Sequence, residues 1–185
     1  MQDYTEFIDE VLVDEATIAK RVAQLGAQIS RDFTGENLLV VCLLRGGLTF
    51  TADLTRYLTI PHTLDCMSLS SYGVGHYASS GNVRVNLDLM TNIEGLNVLL
   101  VEDIVDSGRT LAHVLQMLKT REPKSLKVCV LLDKKYRREV PVEVDYVGFD
   151  VPDRYVFGYG IDIDEHFRHL RFIASADLKK YKKAP

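Results

Sequence analysis

Val98-Leu99-Leu100-Val101-Glu102-Asp103-Ile104-Val105-Asp106-Ser107-Gly108-Arg109-Thr110 runs from an apolar stretch, through paired acids, into a loop of small residues. Leu111, Val114, Leu115 and Leu118 follow at i, i+3, i+4 and i+7, the spacing of one apolar helical face. The loop 106–110 therefore lies between a buried strand and a helix N-terminus. The first turn of a helix leaves backbone N–H groups without internal acceptors, and the positive end of the helix dipole points the same way. Gly108 permits close approach of an anion, and Ser107 and Thr110 add hydroxyl donors, so the loop suits a phosphate. It lacks the Lys that follows the last glycine of a nucleoside triphosphate loop and the three glycines of a dinucleotide fingerprint. A lone Asp-Ser-Gly would read as a turn with Ser107 as helix cap. Here Glu102 and Asp103 precede it at the carboxyl end of the strand, where open parallel sheets bind ligands, and adjacent carboxylates suit sugar hydroxyls and a divalent cation. A sugar phosphate with a metal is implied.

The rest of the chain supplies a compact α/β frame for that loop. Asp14 is placed to cap a helix whose apolar face is Ile18, Val22, Leu25 and Ile29, and the next run, residues 38–44, is continuously apolar. Residues 98–101 and 126–132 are two more such runs, separated by the helix after Thr110, and residues 145–149 read as a further strand. Buried strands alternating with helices require a mainly parallel sheet. Val83, Val85, Leu87 and Leu89 alternate with Arg84, Asn86 and Asp88, which predicts a half-buried antiparallel strand at the sheet edge. The Ser-, Gly- and Tyr-rich stretch 68–82 is expected to be a mobile loop.

Composition is consistent with one domain. The 185 residues are 46% hydrophobic and 26% charged, enough to bury a core and remain soluble. A net charge of -4 argues against a dedicated nucleic-acid binder. The basic runs 134–138 and 179–183 are the kind usually found on solvated faces. Cys42, Cys66 and Cys129 form no C-x-x-C pair, and two lie in apolar strand-like runs, so buried free thiols in a reducing compartment are expected. The first residues have neither a basic start nor an apolar stretch, and no run approaches membrane-spanning length, so a cytoplasmic protein with no membrane partner is expected. Residues after Ala176 are expected to fray.

The pattern of apolar strand, Glu-Asp, two apolar residues and Asp-Ser-Gly-x-Thr resembles the phosphoribosyl pyrophosphate signature of the type I phosphoribosyltransferases. Leu43-Leu44-Arg45-Gly46-Gly47, Ser70-Ser71-Tyr72-Gly73, Leu131-Leu132-Asp133-Lys134 and the stretch from Gly148 through Asp153 to Gly158-Tyr159-Gly160-Ile161-Asp162 extend the similarity, over about residues 11–173, to the hypoxanthine-guanine members. The resemblance implies a twisted, mainly parallel sheet flanked by helices. It also implies a small hood from about residues 1–13 and 152–175 and a loop, about 68–82, that closes during reaction. It implies purine salvage, in which 5-phosphoribosyl passes from phosphoribosyl pyrophosphate to N9 of hypoxanthine or guanine, giving IMP or GMP, with Mg2+ required and xanthine a further candidate base. A homodimer or homotetramer is the usual assembly of that family.

Residue roles follow from the same resemblance. Glu102 and Asp103 act on the ribose hydroxyls and a magnesium ion, and Asp162 lies near a second ion. Asp106, Ser107, Gly108, Arg109 and Thr110 hold the 5'-phosphate. Asp106 faces N7 of the purine as general base, a function typically worth about 10² to 10⁴ in rate. Arg45 and Gly46 reach pyrophosphate, with a cis peptide expected between Leu44 and Arg45. Arg168, with Ser71 and Tyr72 from the mobile loop, completes the pyrophosphate site. Lys134 donates to the exocyclic O6, which selects 6-oxopurines over adenine. Tyr155 stacks on the base, and the Val156 backbone and the Asp162 region read its other edge. His166 and His169 flank Arg168 without an evident third ligand and read as structural. Two other readings stay open: a uracil-type or RNA-binding regulatory relative, which calls for an extended basic face, and a sensor of phosphoribosyl pyrophosphate, which calls for an appended DNA-binding domain.

Overall fold

The computed structural model describes residues 3–71 and 83–182, without the side chains of Ser71 and Val83. Strand β1 (Ile8–Val13) leads into helix α1 (Glu15–Asp32). The Asp14 carboxylate accepts from Thr17 N at 2.7 Å and caps that helix, as the sequence predicts. Next come β2 (Leu38–Leu44), α2 (Gly47–Thr55), β3 (His62–Ser71), β4 (Val83–Leu87), β5 (Asn97–Val105), α3 (Arg109–Lys119), β6 (Ser125–Asp133) and β7 (Tyr146–Asp150). Two short strands, β8 (Val156–Phe157) and β9 (Ile173–Ala176), close the chain.

The main sheet has the order β4-β3-β2-β5-β6-β7, with every neighbouring pair parallel except β3 and β4. This is the mixed, mainly parallel α/β sheet expected from the apolar runs. Alternate residues of each central strand point to opposite faces. On one face Val40, Leu99, Val101 and Leu131 meet Ile18, Val22, Leu25 and Ile29 of α1 and Phe50 and Leu54 of α2. On the other, Leu39, Val41, Leu100 and Val130 meet Leu111, Val114 and Leu118 of α3. Because both faces are covered, the strands read as continuous apolar runs.

Three expectations need correction. Residues 68–71 belong to β3 rather than to a loop; that strand was not legible because, beside the edge strand, it carries a polar and partly exposed sequence, His62-Thr63-Leu64-Asp65 onward. The edge strand stops at Leu87, so Leu89 lies beyond it. Residues 177–182 do not fray: Asp177 N donates to Phe7 O at 2.8 Å, and the Tyr181 ring packs edge-on against Phe7 at 4.9 Å between centroids. Cys42 and Cys129 are buried free thiols, as expected, and Cys66 is a partly buried one.

A second sheet, in the order β1-β9-β8 and antiparallel throughout, joins the two ends of the chain above the carboxyl edge of the main sheet. Its own core is aromatic: Phe7 lies 5.4 Å from Phe157 and 5.3 Å from Phe167. Among the described residues, no helix is long and apolar enough to cross a membrane. The α3 face is held by fully buried side chains, so Leu118→Ala should cost about 2–5 kcal/mol, read as a lower urea midpoint with an unchanged slope.

Candidate functional site

The carboxyl ends of β2, β3, β5 and β6 open into three adjoining cavities. The smallest, about 110 Å³, is formed by the loop 106–108 and the first turn of α3, and Thr110 and Glu102 line it. Gly108 stands before Arg109 with φ 83° and makes no side-chain cap, so the first turn of α3 presents amides at this cavity. Ser107, which a plain turn reading would make the helix cap, accepts only a long bond from Arg109 N, at 3.4 Å. Glycine at 108 has a second, steric reason. A side chain there would meet Val140 O at 2.6 Å and Arg138 Cδ at 2.9 Å, and its left-handed backbone would be strained in any other residue.

That contact arises because residues 134–140 fold back over the loop. Glu139 N and Val140 N both donate to Ser107 O, at 3.0 and 3.1 Å, and Lys134 N donates to Val105 O at 3.0 Å. The Arg109 guanidinium turns away to Glu139 at 2.6 Å, so only its backbone is left facing the anion site. The basic run is accordingly not one solvated face. Lys135 and Tyr136 are exposed, but Lys134 is 5% exposed and Arg138 is tied to Asp133 beneath the loop.

The largest cavity, about 590 Å³, gathers Asp106, Lys134, Tyr155, Val156 and Asp162, all five expected around a base, together with Arg137 and Leu178. Asp106 Oδ2 lies 3.7 Å from Lys134 Nζ, and Oδ1 lies 3.1 Å from Arg137 Nε without hydrogen-bond alignment. Among the described residues, then, the buried Oδ1 has a cation beside it but no donor directed at it. Burial lowers the Lys134 ammonium from the ordinary lysine range, an effect that the Asp106 charge opposes. Tyr155 is 38% exposed, a ring half open to the cavity rather than part of the core.

The third cavity, about 490 Å³, is lined by Arg45, Gly46, Glu102, Asp103, Asp162 and Arg168, with Ser70 and Asn86 from the edge strands. The Leu44–Arg45 peptide is cis, as expected. Glycine at 46 leaves the room that the Asp103 carboxylate occupies, so a larger residue there would force that carboxylate to move. Glu102 accepts from Asp103 N at 3.1 Å, and Asp103 accepts from Ile104 N at 2.9 Å. Loss of water around Glu102, and then the Asp103 charge, push the Glu102 carboxyl well above its usual range. Tyr72 and the Ser71 side chain lie outside the described residues.

The sequence reading missed Glu165. Its carboxylate takes Arg45 Nη2 at 2.6 Å and Arg168 Nη2 at 3.0 Å, and Arg168 also reaches Asp162 at 2.9 Å and Gly160 O at 2.9 Å. Asp164, Glu165 and Phe167 all have left-handed backbones, with φ of 49°, 68° and 68°, in an arch that the Asp162 carboxylate holds by accepting from Glu165 N at 2.9 Å. Sequence offers no signal for that arch, since left-handed geometry is expected of glycine rather than of these residues. The His166 ring lies edge-on to Phe167 at 6.1 Å between centroids.

Among the described residues, no cluster of three or more His, Cys, Asp or Glu side chains is arranged to hold a metal by itself. Glu102 and Asp103 nevertheless suit magnesium. Their crowded carboxylates are relieved by a cation, and that ion commonly keeps waters and completes its shell with one or two carboxylates and substrate phosphate oxygens.

A family model described as phosphoribosyl transferase domain matches residues 10–166. A hypoxanthine phosphoribosyltransferase from Salmonella typhimurium is 47% identical, over 91% of this chain and 96% of its own. A hypoxanthine-guanine phosphoribosyltransferase from Dictyostelium discoideum is 44% identical, over 94% of this chain and 98% of its own. Among solved structures, a hypoxanthine phosphoribosyltransferase from Staphylococcus aureus superposes with a TM-score of 0.90 at 37% identity, covering 95% of each chain.

Adjacent lysines at this site should titrate differently. Burial lowers Lys134, whereas the Asp150 carboxylate, 2.8 Å away, raises Lys135. NMR of the lysine side chains during an alkaline titration should show Lys134 losing its proton at lower pH than Lys135; the reverse order contradicts the burial of Lys134 in the cavity wall.

Proposed function

The chain belongs to the phosphoribosyltransferase family, and from that membership we propose that it transfers the 5-phosphoribosyl group of phosphoribosyl pyrophosphate to N9 of hypoxanthine or guanine, releasing pyrophosphate and giving IMP or GMP for purine salvage. The observation that carries this reading is a single cavity holding Asp106, Lys134 and Tyr155, with a partly exposed Asp106 carboxylate beside the Lys134 ammonium. A purine with N7–H presents a donor to that carboxylate. As N9 attacks C1 of the ribose and the C1–O bond to pyrophosphate breaks, the N7 proton passes to the Asp106 carboxylate, so the ring stays neutral on balance. Lys134 donates to O6, a contact that adenine, with an amino group there, turns into a clash of donors. Tyr155 offers its half-exposed ring as a stacking face.

The 5'-phosphate sits against the opening amides of α3, where the helix dipole favours it. Pyrophosphate takes the Arg45 and Arg168 guanidinium groups, for which Glu165 stands as an internal competitor. Glu102, Asp103 and Asp162 are placed to hold magnesium directly or through water, and the ion would neutralise charge on the departing pyrophosphate. Glu102 and Asp103 also accept from the ribose hydroxyls. Most of the rate comes from positioning and electrostatics, since a general base alone supplies only about 10² to 10⁴ of the roughly 10⁶ or more that enzymes provide.

Release of pyrophosphate should occur with hypoxanthine and guanine and not with uracil or without base. Release with uracil alone, or with no base at all, overturns the proposal. Asp106→Asn should lower kcat about 10²- to 10⁴-fold without abolishing turnover. Glu165→Gln should lower the KM for phosphoribosyl pyrophosphate by up to about fivefold, the range set by a partly exposed ion pair. A raised KM would instead make Glu165 an organiser of the two arginines.

A further inference from the structure

We propose that the C-terminal segment, residues 177–181, is a working part of the base site: Leu178 forms an apolar wall at the mouth of the cavity that holds Asp106, Lys134 and Tyr155, and Tyr181 is the anchor that keeps it there. This rests on the purine reading above and adds a residue that determines base affinity.

Leu178 lines that cavity while remaining 46% exposed, so it stands at the rim. A half-exposed leucine gains burial only when something fills the space in front of it, and a flat, largely apolar ring face is the ligand that does so. The backbone around it is fixed from both sides. Ala176 N donates to Tyr155 O at 2.8 Å, which ties the segment to the residue expected to stack on the base. Asp177 N donates to Phe7 O at 2.8 Å. Beyond Leu178 the chain turns back, with Lys180 N and Tyr181 N both donating to Asp177 O, at 3.0 and 3.1 Å, and Lys179 N donating to the Asp177 carboxylate at 3.0 Å.

Tyr181 closes this turn onto the hood. Its ring meets Phe7 at 4.9 Å and 72°, and burial, with the negative charge of Asp164 nearby, raises its phenol above the usual range. Asp164 belongs to the same arch as Asp162, Glu165 and Arg168, so the anchored ring stands between the rim of the base cavity and that arch. Leu178 touches the base and sets its affinity. Tyr181 is a positioning residue that acts through Leu178.

The test is steady-state kinetics of the full-length protein with hypoxanthine and phosphoribosyl pyrophosphate varied separately, alongside thermal unfolding. Leu178→Ala should raise the KM for hypoxanthine about fivefold, while the KM for phosphoribosyl pyrophosphate and the unfolding midpoint stay in place. Leu178→Met, which restores apolar volume, should return the hypoxanthine KM close to that of the parent. Tyr181→Ala should reproduce the raised hypoxanthine KM, and Tyr181→Phe, which keeps the ring contact, should show a smaller rise. An unchanged hypoxanthine KM in Leu178→Ala overturns the inference, as does a parallel rise in both KM values, which would mark a structural role only. If the parent protein turns over no purine, it is the proposed function that fails, an outcome separate from either of these.

Discussion

The parallel pairing of β2 with β5 sets the geometry on which the site depends. Leu38 through Cys42 lie in register with Asn97 through Val101, so the turns that follow the two strands emerge side by side. At their meeting point the Asp103 carboxylate occupies the space a side chain at position 46 would need. One turn thus delivers Arg45 and the start of α2, and the other delivers the paired acids and the start of α3. Ligand groups of opposite charge requirement are thereby held within one crevice, at the carboxyl edge where helix dipoles also converge.

Charge in that crevice is arranged as mutual occupancy. Asp106 faces Lys134 and Arg137, Glu165 spans Arg45 and Arg168, and Asp162 shares Arg168. Glu102 and Asp103 differ, since each finds backbone N–H donors while their negative charges crowd one another. Exposed ion pairs contribute little to stability, so their value lies in keeping long side chains near the positions a ligand will claim. Burial and the charge of Asp103 together hold the Glu102 carboxyl above its usual range.

The hood shows how distant parts of the chain complete a small site. β1 comes from the start and β8 and β9 from the end, and beneath their sheet Phe7 packs with Phe157 and Phe167. The segment beyond Ala176 joins the same cluster through Tyr181. Ring packing of this kind requires few residues but fixes backbone direction closely, and the Asp162–Arg168 arch depends on it.

Local chemistry was legible from the residues themselves. The apolar runs at 38–44, 98–101 and 126–132 marked the strands, the i, i+3, i+4, i+7 face after Thr110 marked α3, and the acids before Asp-Ser-Gly marked the ligand edge, because each pattern reports burial or capping within a few residues. β3 escaped notice because a partly exposed strand beside an edge need not be apolar, and its His-Thr-Leu-Asp start resembles a loop. Glu165, Leu178 and Tyr181 escaped for a different reason. Their partners, Arg45, Tyr155, Phe7 and Asp164, lie mostly far away along the chain, and Glu165 sits in a left-handed arch that propensity does not anticipate. The sequence by itself determined the central apolar strands, the strand-to-helix turn at 106–110 and which acids and bases stand near it. Only the tertiary structure decided which of those charges meet and what closes the mouth of the cavity, because long-range packing, rather than local periodicity, sets the distances between them.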